Sequence, residues 1–157
     1  MNCRHAMLAG LLVLLIAGPA RAIEWAPATV QLSDGTTVEG QVYIPRDKIL
    51  IMRESKPNTT VRVAEMARYD SEIEKQSMEE EWVFKESGLD DKIFTGKHYP
   101  VRHYLGTATF HDGSQITGHI MPATLFVKTP EGRDKFILKR KEEGEPGQTL
   151  EDLVYVQ

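Results

Sequence analysis

The sequence predicts an all-β chain made of two similar halves, and three observations carry that prediction. Val30-Gln31-Leu32-Ser33 runs into Asp34-Gly35, and Val38-Glu39-Gly40-Gln41-Val42-Tyr43-Ile44 follows with apolar and polar residues alternating. Period-two alternation on both sides of Asp-Gly is a hairpin signal. The pattern returns 78 residues later as Ala108-Thr109-Phe110-His111, Asp112-Gly113 and Ile116-Thr117-Gly118-His119-Ile120. Asp-Gly and the later glycine are identical, while Leu32 matches Phe110, Val38 matches Ile116 and Val42 matches Ile120. Each hairpin is then followed by the same order of short apolar runs and polar turns.

Ahead of these elements lies a different kind of segment. Arg4 and His5 precede an apolar run from Met7 to Ala17, which ends at Gly18-Pro19 and Ala20-Arg21-Ala22. A basic start, a short apolar core and small residues at Ala20 and Ala22 mark a secretory signal over residues 1–22, cleaved after Ala22. The core is too short for a membrane span, which needs ~20 apolar residues. Cys3 sits ahead of the core, where it cannot serve as a lipoprotein cysteine. The remaining chain has no cysteine, so an apolar core must hold it together in an oxidising compartment. The expected location is periplasmic or secreted, without stable membrane insertion after cleavage.

The chain has 157 residues, 41% hydrophobic and 27% charged. This excludes collagen-like, disulfide-scaffold and wholly disordered classes and leaves room for one domain or two small ones. After Ala22 there are 17 basic and 23 acidic residues, a net of −6. Residues 70–91 carry nine acids and two bases, residues 92–141 nine bases and three acids, and the tail from Glu142 five acids. The simplest arrangement sets acidic and basic segments side by side, where they neutralise each other.

The elements follow in order. In the first half, residues 23–73, the hairpin leads to Ile49-Leu50-Ile51-Met52, a turn through Lys56-Pro57-Asn58, and Thr60-Val61-Arg62-Val63 with Ala64-Glu65-Met66. In the second, residues 105–157, it leads to Leu125-Phe126-Val127-Lys128, a turn at Glu131-Gly132 and Phe136-Ile137-Leu138. Leu150-Glu151-Asp152-Leu153 and Val154-Tyr155-Val156 close the chain. Between them, residues 74–104 form a connecting β segment. The stretch 71–82 offers a helix only Ile73, Met78 and Trp82, whereas Met78, Trp82 and Phe84 share a strand's parity. With Gly88 and Asp90-Asp91 as a turn before Ile93-Phe94, this reads as an extended, twisted hairpin joining the halves.

Leu32-x-Asp34-Gly35-x4-Gly40-x-Val42 and Phe110-x-Asp112-Gly113-x4-Gly118-x-Ile120 resemble the hairpins of Sm-like and SH3-like small barrels. The resemblance implies two tandem barrels or half-barrels joined by the central hairpin. It also implies that Gly40 and Gly118 let a strongly bent strand pass a crowded corner. It stops short of RNA binding. The first half has Pro45-Arg46-Asp47 with no nearby Asn, and neither half has the Arg-Gly that RNA-binding members carry.

Candidate sites are few. The hairpin residues Asp34, Gly35, Gly40, Asp112, Gly113 and Gly118 are expected to serve turn and bend geometry. His98, His103, His111 and His119 fall within 22 residues. A turn centred near Gly113 sets His111 opposite Gln115 and His119 opposite Thr107, rungs about 13 Å apart and too far for one ion. No metal or cofactor is therefore expected. Lys97, His98, Tyr99, Arg102, His103 and Tyr104 interleave bases with aromatics, as binding platforms do. Net charge and export weigh against nucleic acid and favour a protein or glycan of the cell envelope. There is no glycine-flanked serine, His-Glu-x-x-His or phosphate loop.

These readings point to an exported, non-catalytic binding or assembly module. Two alternatives stay open: a small hydrolase or metal-dependent enzyme with its site between the halves, and an anion-binding module using the basic 92–141 segment. Clustered, partly buried titratable groups would favour the first, and a contiguous positive face the second. Mass spectrometry of exported material should find a chain beginning at Ile23; Met1 or a lipid-modified Cys3 would refute the cleavage site.

Overall fold

The computed structural model describes residues 25–88 and 90–157; residues 1–22, where a secretory signal is expected, lie outside them. The chain is all-β, as its alternation predicts. Ten strands run in order: β1 (Ala26–Gln31), β2 (Thr37–Tyr43), β3 (Lys48–Arg53), β4 (Lys56–Arg62), β5 (Met66–Phe84), β6 (Lys92–Phe110), β7 (Gln115–Ile120), β8 (Ala123–Lys128), β9 (Arg133–Leu138) and β10 (Lys141–Glu143). Three single 3-10 turns, at Pro45–Asp47, Val63–Glu65 and Leu150–Asp152, are its only helical turns among the described residues.

The two hairpins repeat each other in register as well as sequence. Val30 faces Val38 across β1–β2, and Ala108 faces Ile116 across β6–β7, the same pairing shifted by 78 residues. Both turns close alike. Gly35 N donates to Leu32 O and Gly113 N to Phe110 O, each at 3.0 Å. The Asp34 and Asp112 carboxylates accept from Thr36 N and Ser114 N at 2.8 and 2.9 Å. Gly35 and Gly113 take φ values of 88° and 83°, which side chains disfavour. The second register corrects the sequence expectation by two residues: Thr109, not His111, lies opposite Gln115, and Thr107 faces Thr117. Parity survives that slip, so Ile116 and Ile120 still share a face.

The halves do not close as separate barrels. Consecutive strands joined by short links usually pair, yet β2 pairs with β8 and β3 with β7. One sheet has the order β1-β2-β8-β9; the other has β10-β6-β7-β3-β4, with β5 on the free edge of β6. Each sheet thus takes strands from both halves. The links explain the exchange. Ile44 precedes Pro45 and Met121 precedes Pro122, and a residue before proline is held extended. Ile44 has φ −113° and ψ 129°, so the chain carries on past the sheet edge instead of folding back. Expected boundaries near residues 73 and 104 fall inside β5 and β6, which form one hairpin running from Met66 to Phe110.

The core lies where the exchanged strands meet. Val42 faces Val127, and Ile51 faces Ile120. Around them Val30, Ile44, Ile49, Val61, Ala108, Leu125 and Leu138 are buried in one cluster. Apolar burial contributes roughly 25 cal/mol per Å², and here that contribution depends on both halves together.

Gly40 and Gly118 sit at the two crossings. A Cβ on Gly40 would lie 2.5 Å from the Lys128 carbonyl oxygen and 3.0 Å from Val127 Cγ1. One on Gly118 would strike the Met52 carbonyl oxygen and come within 2.8 Å of Ile51 Cγ2. Both obstacles are backbone of the opposite half and cannot swing aside. Gly40→Val and Gly118→Val should each destabilise the protein by at least the ~1–3 kcal/mol of overpacking. Thr37→Val and Gln115→Val, at exposed hairpin positions, should be nearly neutral in thermal melts. Since valine is a good strand former, propensity alone predicts a gain at all four sites, and melting at or above the parent at Gly40 and Gly118 would refute the crossing.

Candidate functional site

The six residues of the expected binding platform all lie on β6 but do different work. Lys97 and His98 are exposed on the long β5–β6 hairpin, with His98 opposite Glu80. Tyr99 is half-buried opposite Glu79. Arg102 and Tyr104 share the parity of His98 but lie farther along β6, within the body of the fold, and are buried, Tyr104 with only 2% of its surface exposed. They are unavailable to a partner, which corrects the expectation of one continuous platform.

Arg102 and Tyr104 instead hold the acidic C-terminal segment. Arg102 Nη1 donates to Leu153 O at 2.9 Å and Nη2 to Leu150 O at 2.8 Å. The guanidinium also lies 5.5 Å from the Tyr155 ring centre. Tyr104 stacks against Tyr155 at 4.8 Å, and its hydroxyl donates to Glu142 Oε2 at 2.6 Å. From there the tail crosses to the first hairpin, where Ser33 N donates to Tyr155 O at 2.9 Å. A basic residue flanked by aromatics is as well suited to gripping its own chain as to gripping a ligand.

His103 and His119 come together in a shallow cleft of about 350 Å³ with Glu54, Glu74 and Arg140. His119 Nε2 lies 2.9 Å from Glu74 Oε2. Glu74 sits at a break in the β5–β6 register between Ile73 and Lys75, which lets it reach across toward β7. The sequence reading left these histidines as separate surface groups; the direct pairing of β6 with β7 gathers them, and the exchange of β3 onto β7 adds Glu54. No serine, threonine or cysteine lines the cleft. Among the described residues, no group of three or more His, Cys, Asp or Glu is placed to hold a metal ion.

The basic 92–141 segment is interleaved with acid. Its β6 portion pairs with the acidic β5, Lys139 Nζ lies 2.6 Å from Glu142, and Lys141 Nζ lies 2.5 Å from Glu143. These contacts pair part of the segment with acid, while Lys128 and Arg133 face each other across β8–β9 with Lys135 on the same face.

Two surfaces that the sequence reading did not single out are better suited to contact. The first is the outer part of the β5–β6 hairpin, an arm with no third strand beside it. Gly147 N bonds His98 O at 2.9 Å, and beyond that point only β5 and β6 remain. A bulge lies between the pairs Glu80–His98 and Trp82–Phe94. Past the bulge, Trp82, Val83, Phe84, Ile93 and Phe94 are 37–59% exposed. Trp82 packs edge-on to Phe84 at 5.0 Å, and Lys92 Nζ lies 3.7 Å above the Trp82 ring. Alternation puts Trp82, Phe84 and Phe94 on one face and Val83 and Ile93 on the other, so both faces are apolar. The signal was present in the sequence, as apolar residues on both parities with no third strand predicted to cover them.

The second surface is a cleft of about 500 Å³ where the links after β2 and β7 run side by side. Pro45, Leu50, Met121 and Pro122 give it an apolar lining, and Arg46 and Lys48 give it charge. Arg46 and Asp47 have φ of 68° and 52°. Non-glycine residues rarely adopt such values, and they concentrate at functional segments.

Comparison with protein-family models, with curated proteins and with solved structures gives no match to this chain.

Burial first, and then the hydrogen bond to Glu142, raise the Tyr104 phenol above its ordinary range. A group whose pKa is raised by folding contributes stability that is intact below its unfolded pKa, near 10, and is lost as pH climbs toward its folded value. Denaturation curves should therefore show stability falling above about pH 10, and Tyr104→Phe should lessen that fall. At neutral pH the Arg102→Met variant should lose about 1–3 kcal/mol, since two carbonyls are left unpaired. Hydrogen exchange should then speed up in 142–157 before it does in β3 or β7.

Proposed function

We propose that this protein is a binding or assembly module of the cell envelope, without chemistry of its own, and that the β5–β6 arm is its contact element. One observation carries the reading: five large apolar side chains are exposed on both faces of a ribbon that nothing among the described residues covers. Exposed apolar surface of this kind is a mark of an interaction site. A two-stranded ribbon is only marginally stable by itself, so an arm of this length is a costly thing for the fold to hold out into solvent.

The charge around the apolar belt favours a protein surface over a lipid one. The turn beyond the belt carries Lys85, Glu86, Asp90 and Asp91. End-on insertion into a bilayer would drive these charges in first, at high cost. A partner that packs against the side of the ribbon leaves them in water. The secretory signal supports the envelope location.

A photoreactive phenylalanine analogue in place of Phe94 should crosslink the protein to a partner in intact cells. The same analogue at Gln115, on the body of the fold, should not. If both positions give only the uncrosslinked chain, the arm is not a contact element.

A further inference from the structure

We propose that the occupant of the arm is a second copy of this chain, with the arm of one molecule seated in the Arg46–Lys48 groove of the next. The inference rests on the reading of the arm as a contact element and names its partner. Complementarity in apolar character and in charge carries it. Around the apolar belt, residues 79–97 carry six acids, Glu79, Glu80, Glu81, Glu86, Asp90 and Asp91, against three lysines, Lys85, Lys92 and Lys97, a net of −3. The groove is apolar at Leu50 and Met121, the latter 47% exposed, and its lining includes two bases and no carboxylate. Asp47, the nearest acid in sequence, lies 4.0 Å from Arg62 and outside the lining.

Its size also fits. A cleft of about 500 Å³ falls in the range that takes one drug-sized ligand. An arm-to-arm contact is disfavoured, because it would set one run of acids against another. An arm-to-groove contact joins two different surfaces, so each molecule offers one of each. Association of that kind propagates into a ring or an open chain instead of stopping at a two-fold dimer.

Sedimentation velocity of the chain from Ile23 onward, between about 1 and about 200 μM, reads the proposal directly. The sedimentation coefficient should rise with concentration. Arg46→Glu with Lys48→Glu should abolish the rise, and so should Glu79→Lys with Glu86→Lys. All four positions are exposed or lie on the groove rim, and circular dichroism will show that the variants keep the fold. Mixing the two double variants should restore association, because each then meets an arm and a groove of opposite charge. A chain that stays monomeric throughout, or association that survives groove reversal or is not restored by mixing, overturns the inference. The crosslink at Phe94 separates this from the broader reading. A product of twice the chain mass supports self-assembly, while a product with a different protein and no self-association leaves the arm as a contact element and removes this partner.

Discussion

Two places of close backbone approach govern this fold, Gly40 against Lys128 and Gly118 against Met52. At each, the second strand of one half lies directly on the third strand of the other. The approach is possible only without a Cβ, and it sets Val42 beside Val127 and Ile51 beside Ile120. Once those pairs are in register, the remaining core residues have one place to go. The proline links then run out together, which is how the groove between Pro45 and Pro122 comes to exist. The core, the sheet order and the concave surface thus descend from one steric condition.

Much of the fold was legible in the sequence. Alternation around Asp34-Gly35 and Asp112-Gly113 located both hairpins, and the shared spacing of Gly40 and Gly118 marked equivalent positions. Unpaired parity in 78–84, with a turn at Gly88 to Asp91, indicated the central hairpin. Pairing across the halves was not legible, because alternation reports which face a residue takes and carries no information about which strand lies beside it. The signal was indirect, in Pro45 and Pro122 after the second strand of each half. The roles of Arg102 and Tyr104 were hidden for a related reason. Their partners, Leu150, Leu153 and Glu142, lie some 40 to 50 positions away, and no local pattern links residues so distant.

Charge in this molecule is organised by strand. The acidic β5 borders the partly basic β6, and the acidic tail crosses β6 near His103 and lends Glu142 to Lys139 and Tyr104. Within the body these pairings are local and offset one another, and exposed pairs of this sort add little stability. Their arrangement matters more on the arm, where acids outnumber lysines and the apolar belt is open. Body and arm follow different rules: in the body, polar side chains mostly find partners within the fold, and on the arm most of them face solvent.

Because each sheet borrows strands from both halves, neither half has a complete core to collapse around. Pairings such as β2 with β8 join residues more than 80 positions apart, and contacts so remote in sequence are slow to form. The β5–β6 hairpin is different, since its closure is local and pairings near in sequence form faster than remote ones. The arm is thereby the tether that converts a meeting of two fragments into an intramolecular event and raises their effective concentration. A chain cut at its tip, between Glu86 and Asp90, would still possess every strand of both sheets. It would have to assemble them as a heterodimer, at a rate set by dilution.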